Sequence, residues 1–290
     1  MSPQLFLSII EVGCFFSLLA LSFLLVLDGA AVFNFAIGPY AMAAGLATSW
    51  LVTRLGYPVL AAALAGLAIA VVLAAVTDVA VIRPIEARLG GAELPALVAV
   101  AATLFLIEQA AGTIFGRGDF PGQPLLGFEP IALGSAAMSA PQVTLLVATV
   151  AVFALVAWWL RASRTGRMLR AVGDNKHAAQ LLGLPVSRIR GIAFILSGLI
   201  AGLAGLLFAH KSGVSFTSGL QWTLWGFLAL VIGGTGSVWA PLIGGMLLAA
   251  VQILSPYYFG SAAADYAILL VALLFFALRP SGLITRKVRT

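Results

Sequence analysis

Six polar side chains stand inside or beside long apolar runs: Glu11, Asn34, Asp78, Glu108, Gln109 and Gln252. A charge at the centre of a bilayer costs about 2.5–3.5 kcal/mol on insertion scales, so such groups belong on a bundle interior or in a wet cavity. Glu108 lies well inside its run. With Gln109 beside it, it reads either as part of a solute pathway or as a satisfied interior hydrogen-bonding group. Glu11 and Asp78 carry the same two readings, Asp78 standing close to Arg83 near the end of its run. Asn34 precedes Gly38, Pro39 and Tyr40, where glycine and proline interrupt the helical pattern. Backbone groups freed there need partners or water, which makes Asn34, Gly38 and Tyr40 candidates for shaping a pathway, with capping of the broken helix as the alternative.

Catalytic constellations are scarce. No HExxH pattern occurs, and the two histidines, His177 and His210, lie far apart in the chain. Gly213-Val214-Ser215 resembles the nucleophile site of an intramembrane serine protease, but no histidine follows it to act as base. The run Gly233-Gly234-Thr235-Gly236-Ser237 offers amides that could cradle a phosphate. A GxxxxGK[ST] pattern is absent, so a turn or close helix packing is the better expectation for Gly233, Gly234 and Gly236. Cys14 is the single cysteine, which excludes an intrachain disulfide and a cysteine metal cluster and leaves a buried structural thiol. No catalytic residue and no metal site is assigned.

The longest polar passage runs from Arg161 to Arg190. It holds seven of the sixteen basic residues (Arg161, Arg164, Arg167, Arg170, Lys176, Arg188 and Arg190) against a single acid, Asp174. The four arginines from 161 to 170 recur every third residue and fan over half of a helix surface, suiting an element that lies on anionic headgroups and meets a partner. After them, Asp174 or Asn175 can cap a short helix whose apolar face carries Ala178, Ala179, Leu181 and Leu182, and which Gly183 and Pro185 end. Two turns of helix are not stable alone and need a groove to dock into.

These groups must be held by membrane-spanning elements. Hydrophobic residues make up 62% of the chain and charged ones 9%, and the mean hydropathy is +1.10, against roughly a quarter charged in soluble domains. The expected fold is all-α, a polytopic transmembrane helix bundle forming a single domain over residues 1–290. At about 20 apolar residues per span, the length allows roughly eight to ten segments. Apolar runs cover about 5–27, 31–52, 57–79, 94–115, 143–160, 192–209, 220–232, 239–254 and 266–278, with broken or re-entrant segments expected around Gly38-Pro39 and between the seventh and eighth runs. Residues 1–4 carry no basic side chain, and the first run exceeds the roughly 7–15-residue core of a signal peptide, so a retained first helix is expected. The net charge of +6 sits mostly in loops between apolar runs. The positive-inside rule explains it without a nucleic-acid partner. With the 161–190 loop cytoplasmic, the Arg83/Arg88 loop and the C-terminal Arg279, Arg286, Lys287 and Arg289 fall on the same side. The N-terminus and the 116–141 loop, whose basic content is Arg117, then lie outside. In the sixth run, Ser197, Ala201 and Gly205 repeat every fourth residue, as do Gly198 and Gly202, giving a smooth stripe for close helix packing. No internal sequence repeat is evident.

The segment 166–188 resembles the cytoplasmic loop of ABC-importer permeases of the branched-chain amino-acid class, a class with relatives among sugar permeases. Asn34-Phe-Ala-Ile-Gly38, Arg83-Pro84, the 233–237 glycine run with Gly244-Gly245, and Arg279-Pro-Ser-Gly282 are similar to the same family in the same order. Among the two permease types that such importers pair, the chain looks like the shorter. The resemblance implies an inner-membrane translocation subunit without its own ATPase site, binding no cofactor itself. A second permease subunit, two ATP-binding-cassette subunits that use ATP and Mg, an external solute-binding protein and the lipid bilayer would be its partners. It also implies an ATPase-docking helix over Asp174, Asn175, Lys176, His177, Ala178, Ala179, Leu182 and Gly183. Ile37 stands where family members commonly carry histidine, which implies a less polar pathway and a different substrate among branched-chain amino acids, amides, urea and aromatic or other organic acids. The competing reading is a stand-alone secondary transporter or channel with Glu108 and Asp78 as ion-coupling groups.

Overall fold

The computed structural model describes residues 3–89, 93–133, 136–261, 263–279 and 282–285. Twelve helices follow one another: α1 (Pro3–Ala30), α2 (Ile37–Leu55), α3 (Val59–Val76), α4 (Arg83–Leu89), α5 (Glu93–Ile114), α6 (Ala140–Ala162), α7 (Arg164–Asp174), α8 (Lys176–Leu181), α9 (Val186–Ser212), α10 (Ser218–Gly233), α11 (Ala240–Phe259) and α12 (Ala263–Leu278). Six stretches among the described residues are long and apolar enough to cross a membrane: 3–30, 59–88, 94–114, 140–162, 186–211 and 240–259. The helices at 218–233 and 266–278 are apolar but shorter.

Two helices form the centre. In α1, 89% of the apolar window is buried within the chain, and in α9 72%, against 28% for the stretch containing α3 and 22% for α11. A helix that is apolar all round and still largely exposed has lipid as its neighbour, so α3, α5, α6 and α11 form the periphery. Small residues let the inner helices touch. A Cβ on Gly205 would overlap the Ala41 carbonyl of α2, and those on Gly198 and Gly202 would overlap Ala74 and Ala70 of α3. The small-residue stripe in α9 is therefore a packing surface, as its spacing predicts.

α1 and α9 run antiparallel, with Gly29 against Ala193 at one end and Phe15 stacked on Phe208 at 3.9 Å further along. Each is followed by a short irregular return and then a short helix. After α1 the turn is made at Ala31, which takes a left-handed φ of 57°, and α2 begins at Ile37. After α9, residues 213–217 lead back to α10. The starts of α2 and α10 abut, with the Gly38 amide donating to Thr223 Oγ1 at 3.1 Å, and the two helices then diverge. α2 passes Gly205 and Ala209, while α10 passes Leu19 and Phe23 toward the other end. This is an inverted pairing of two like units, a plan common among transport folds, which the sequence conceals.

Three expectations need correction. The apolar run beginning at Ala31 is not helical until Ile37. Arg83 and Arg88 do not lie in a loop: α3 continues through a π-helical turn (Thr77–Ile82) into α4, so the helix outlasts its apolar run. The fold also carries one antiparallel β pair, β1 (Ile131–Leu133) with β2 (Ala136–Met138), inside the 116–141 passage.

The polar passages sort to two ends. The start of the chain meets the β pair through Gln4 Oε1, which accepts from the Ala137 amide at 3.3 Å, and Phe120 bridges to Val214. At the other end gather Asp28, the turn between α10 and α11, the end of α6 and α7, with residues 283 and 284 bonded to Ile232 and Gly233. Arg286, Lys287 and Arg289 lie outside the described residues.

Candidate coupling surface and helix break

The basic passage folds as two helices joined at Asn175. Ser163 caps α7, accepting from the Gly166 amide at 2.9 Å. Leu169 and Val172 are buried. All four regularly spaced arginines are exposed, and two of them also reach back to the preceding helix: Arg167 donates to the Arg161 and Ala162 carbonyls, and Arg170 to the Leu160 carbonyl, closing the C-terminal end of α6. Asp174 falls in the last turn of α7, and the short helix that follows, α8, spans Lys176–Leu181. Asn175 is its cap, its Oδ1 accepting from the Ala178 amide at 2.9 Å. At the far end Gly183 takes a φ of 74°, a conformation that favours glycine, and the Leu184 amide reaches back to the Ala179 carbonyl. Ala179 is buried, while Leu181 and Leu182 are 77% and 80% exposed.

Beneath α8 lies a set of charges of which Glu86 is the one that did not stand out in the sequence. Arg190, at the start of α9, donates from Nε to Asp78 Oδ1 at 2.6 Å and from its terminal nitrogen to Glu86. Arg83 donates to Asp78 Oδ2 at 2.8 Å, and Lys176 to Glu86 Oε1 at 2.7 Å. The π-helical turn explains the first of these pairs, because an i→i+5 winding brings residues 78 and 83 onto one face.

The candidate pathway residues converge in part. Asn34 is fully buried; its Oδ1 accepts from the Ala36 amide at 3.1 Å and its Nδ2 donates to the Tyr40 hydroxyl at 3.3 Å. Thr223 fastens α10 to this break, donating to Phe35 O at 3.0 Å and Gly219 O at 2.8 Å. A Cβ at Gly38 would overlap the Gly219 carbonyl, so glycine is required for this approach. Glu108, reaching in from α5, accepts from the Leu220 amide at 2.7 Å and so occupies the N-terminal end of α10, where a negative group offsets the unpaired amides and the helix dipole. Gln109 is exposed and does not join the group. A nearly all-apolar cleft of about 590 Å³ lies between α2, α3 and α5, with Leu73, Thr77, Thr103 and Ile107 on its walls.

Glu11 belongs to a separate buried cluster toward the opposite end, meeting Gln142 Nε2 at 3.0 Å, His210 Nε2 at 3.1 Å and Lys211 Nζ at 2.5 Å. The glycine run does not present a cradle of free amides. Gly234 N bonds to Leu230 O and Gly236 N to Ile284 O, and Gly233 and Gly244 form a tight crossing between α10 and α11.

A family model, the permease component of the branched-chain amino acid transport system, matches residues 5–278. The chain belongs to that family. It is 24% identical to the high-affinity branched-chain amino acid transport system permease protein LivH of Salmonella typhimurium, over 96% of this chain and 93% of the relative. The autoinducer 2 import system permease protein LsrC of an Enterobacter species is 32% identical over 56% of this chain and 48% of its own length. The ribose import permease protein RbsC of Haemophilus influenzae is 36% identical over 32% of this chain and 31% of its own. Among solved structures, a chain of PsaBC from Streptococcus pneumoniae in complex with a Fab shares the fold, with a TM-score of 0.52 and 13% identity, covering 96% of this chain and 91% of that one. A branched-chain amino acid permease component is a multi-pass membrane subunit of an ABC importer, and the bundle is built accordingly.

Proposed function

We propose that the chain forms half of the translocation pathway of an ATP-driven importer for branched-chain amino acids or related small solutes, among them amides, urea and aromatic or other organic acids. The observation that carries this reading is α8. A helix too short to persist alone, capped at both ends, turns Leu181 and Leu182 outward at the same end of the bundle as the basic clusters. Two exposed leucines on a fixed stub suit insertion into an apolar groove of a partner. The partners in this reading are a second permease, two ATP-binding-cassette subunits that use ATP and Mg, and an external solute-binding protein. Asn175, Lys176, His177, Ala178, Ala179, Leu182 and Gly183, with Asp174 before them, form the docking element. The helix break at Asn34, Gly38, Tyr40 and Glu108 borders the pathway.

In this reading α2, α10 and α12 join the six long spans, giving nine membrane segments in a bacterial-type inner membrane, with the N-terminus outside and the C-terminus cytoplasmic. The deciding test is uptake by the assembled complex with its binding protein against a panel of amino acids, amides and aromatic acids. Uptake of at least one of these, dependent on ATP, is expected; ATP hydrolysis with no panel member carried would contradict the solute class.

A further inference from the structure

Lys176, Glu86, Arg190, Asp78 and Arg83 form one unbroken chain of ion pairs across α8, α4, α9 and the π-helical turn. Its burial is graded. Side-chain exposure falls from 31% at Lys176 and 24% at Glu86 to 5% at Arg190 and 2% at Asp78, and rises again to 45% at Arg83, so the network is buried at its centre and open at both ends. Charges held this deep gain little net stability over well-packed apolar groups, whereas removing one partner is severe. What they supply is fixed geometry. The two Arg190 contacts leave from different nitrogens of one planar fork to carboxylates on two elements, which sets the angle between them in a way a lysine cannot. Gly191 keeps α9 close enough for this, since even a Cβ there would lie 3.3 Å from Arg83 Nη2.

The network also has two ends. α8 packs mainly on its chain neighbours α7 and α9, and Lys176 reaches past both to Glu86 on α4. At the buried centre Asp78 follows Thr77, whose hydroxyl lies within hydrogen-bonding reach of the Tyr40 hydroxyl, which in turn bonds to Asn34 at the helix break.

We propose that this network is the joint through which displacement of α8 reaches the helix break, with Arg190 a positioning residue that makes α8, α4 and the start of α9 move as one rigid unit. The proposal rests on the reading of α8 as the cassette-docking helix. An i→i+5 turn at the joint fits this use, because such turns recur where a helix must shift register at a functional site.

The test uses the assembled importer, reconstituted with its cassettes, second permease and binding protein, and reads cassette association, ATP turnover and solute uptake. Glu86→Gln, at the rim of the network, and Arg190→Lys, at its centre, are expected to keep cassette association. Each should raise the ATP hydrolysed per solute carried by about fivefold or more, the lower end of coupling between linked sites. A short thiol-reactive linker across Lys176→Cys and Glu86→Cys, in a Cys14→Ala background, is expected to return the ratio toward the parent value. Parent ratios in both Glu86→Gln and Arg190→Lys, or a linker with no effect on a raised ratio, would overturn the joint while leaving docking intact. Unchanged cassette association after Leu181→Asp with Leu182→Asp would instead remove the docking reading, and the joint with it.

Discussion

At the scale of single residues, the polar groups within the apolar runs prove to be engaged. Glu108 fills the N-terminal end of α10 through the Leu220 amide. Glu108→Gln keeps an acceptor at that point and should leave stability and transport near the parent. Glu108→Leu leaves the part-buried Leu220 amide without its acceptor, at a cost of up to about 1–3 kcal/mol, and should lower the melting temperature in detergent. Loss of transport in the Gln variant with an unchanged melting temperature would favour an ion-coupling carboxylate instead. That Glu108 needed a partner was legible from its place in an apolar run. The partner's identity was not, because a backbone amide leaves no mark on the residue types. Asp78 and Arg83 stand close in the sequence, but only the π-helical turn puts them on one face; Arg190 stands 112 positions from Asp78, and no local pattern joins them. Glu86 went unremarked because it sits just past the end of its apolar run and is fixed only by contacts from α8 and α9.

At the scale of elements, α8 is the piece most fully written in the sequence, since its cap, its apolar positions and its terminal glycine all lie within ten residues. Replacing an N-cap asparagine by alanine costs about 0.5–2 kcal/mol, and a helix of this length has no reserve against that loss. Asn175→Ala should therefore weaken cassette association in a pull-down, and Asn175→Asp should largely restore it. Equal association in both would mean that α8 owes its shape to packing on α7 and α9 alone. The π-helical turn and the late start of α2 were hidden for a common reason. Hydropathy registers which residues are apolar, not how the backbone is wound, and the stretch from Ala31 to Ala36 is as oily as the helices around it. The arginine spacing was legible as a charged face, and all four side chains are exposed; hidden from it were the carbonyls at the end of α6, which lie within reach of Arg167 and Arg170.

At the scale of the whole molecule, the succession of apolar runs gave the order of the helices. The inverted pairing of α1–α2 with α9–α10 came only with the coordinates, because antiparallel units need share shape rather than sequence. The described residues divide their loops between two ends, with Gly118 at one and Leu182 at the other, both in open surroundings. In a Cys14→Ala background, Gly118→Cys should react with a membrane-impermeant thiol reagent on intact cells, and Leu182→Cys only after the inner face is opened. The reverse pattern would invert the proposed orientation. The most direct measurement of all is solute uptake into proteoliposomes containing either this chain alone or the complete complex with its cassettes. We expect uptake only from the complete complex and only with hydrolysable ATP; accumulation by the chain alone under an ion gradient, without ATP, would contradict the central claim.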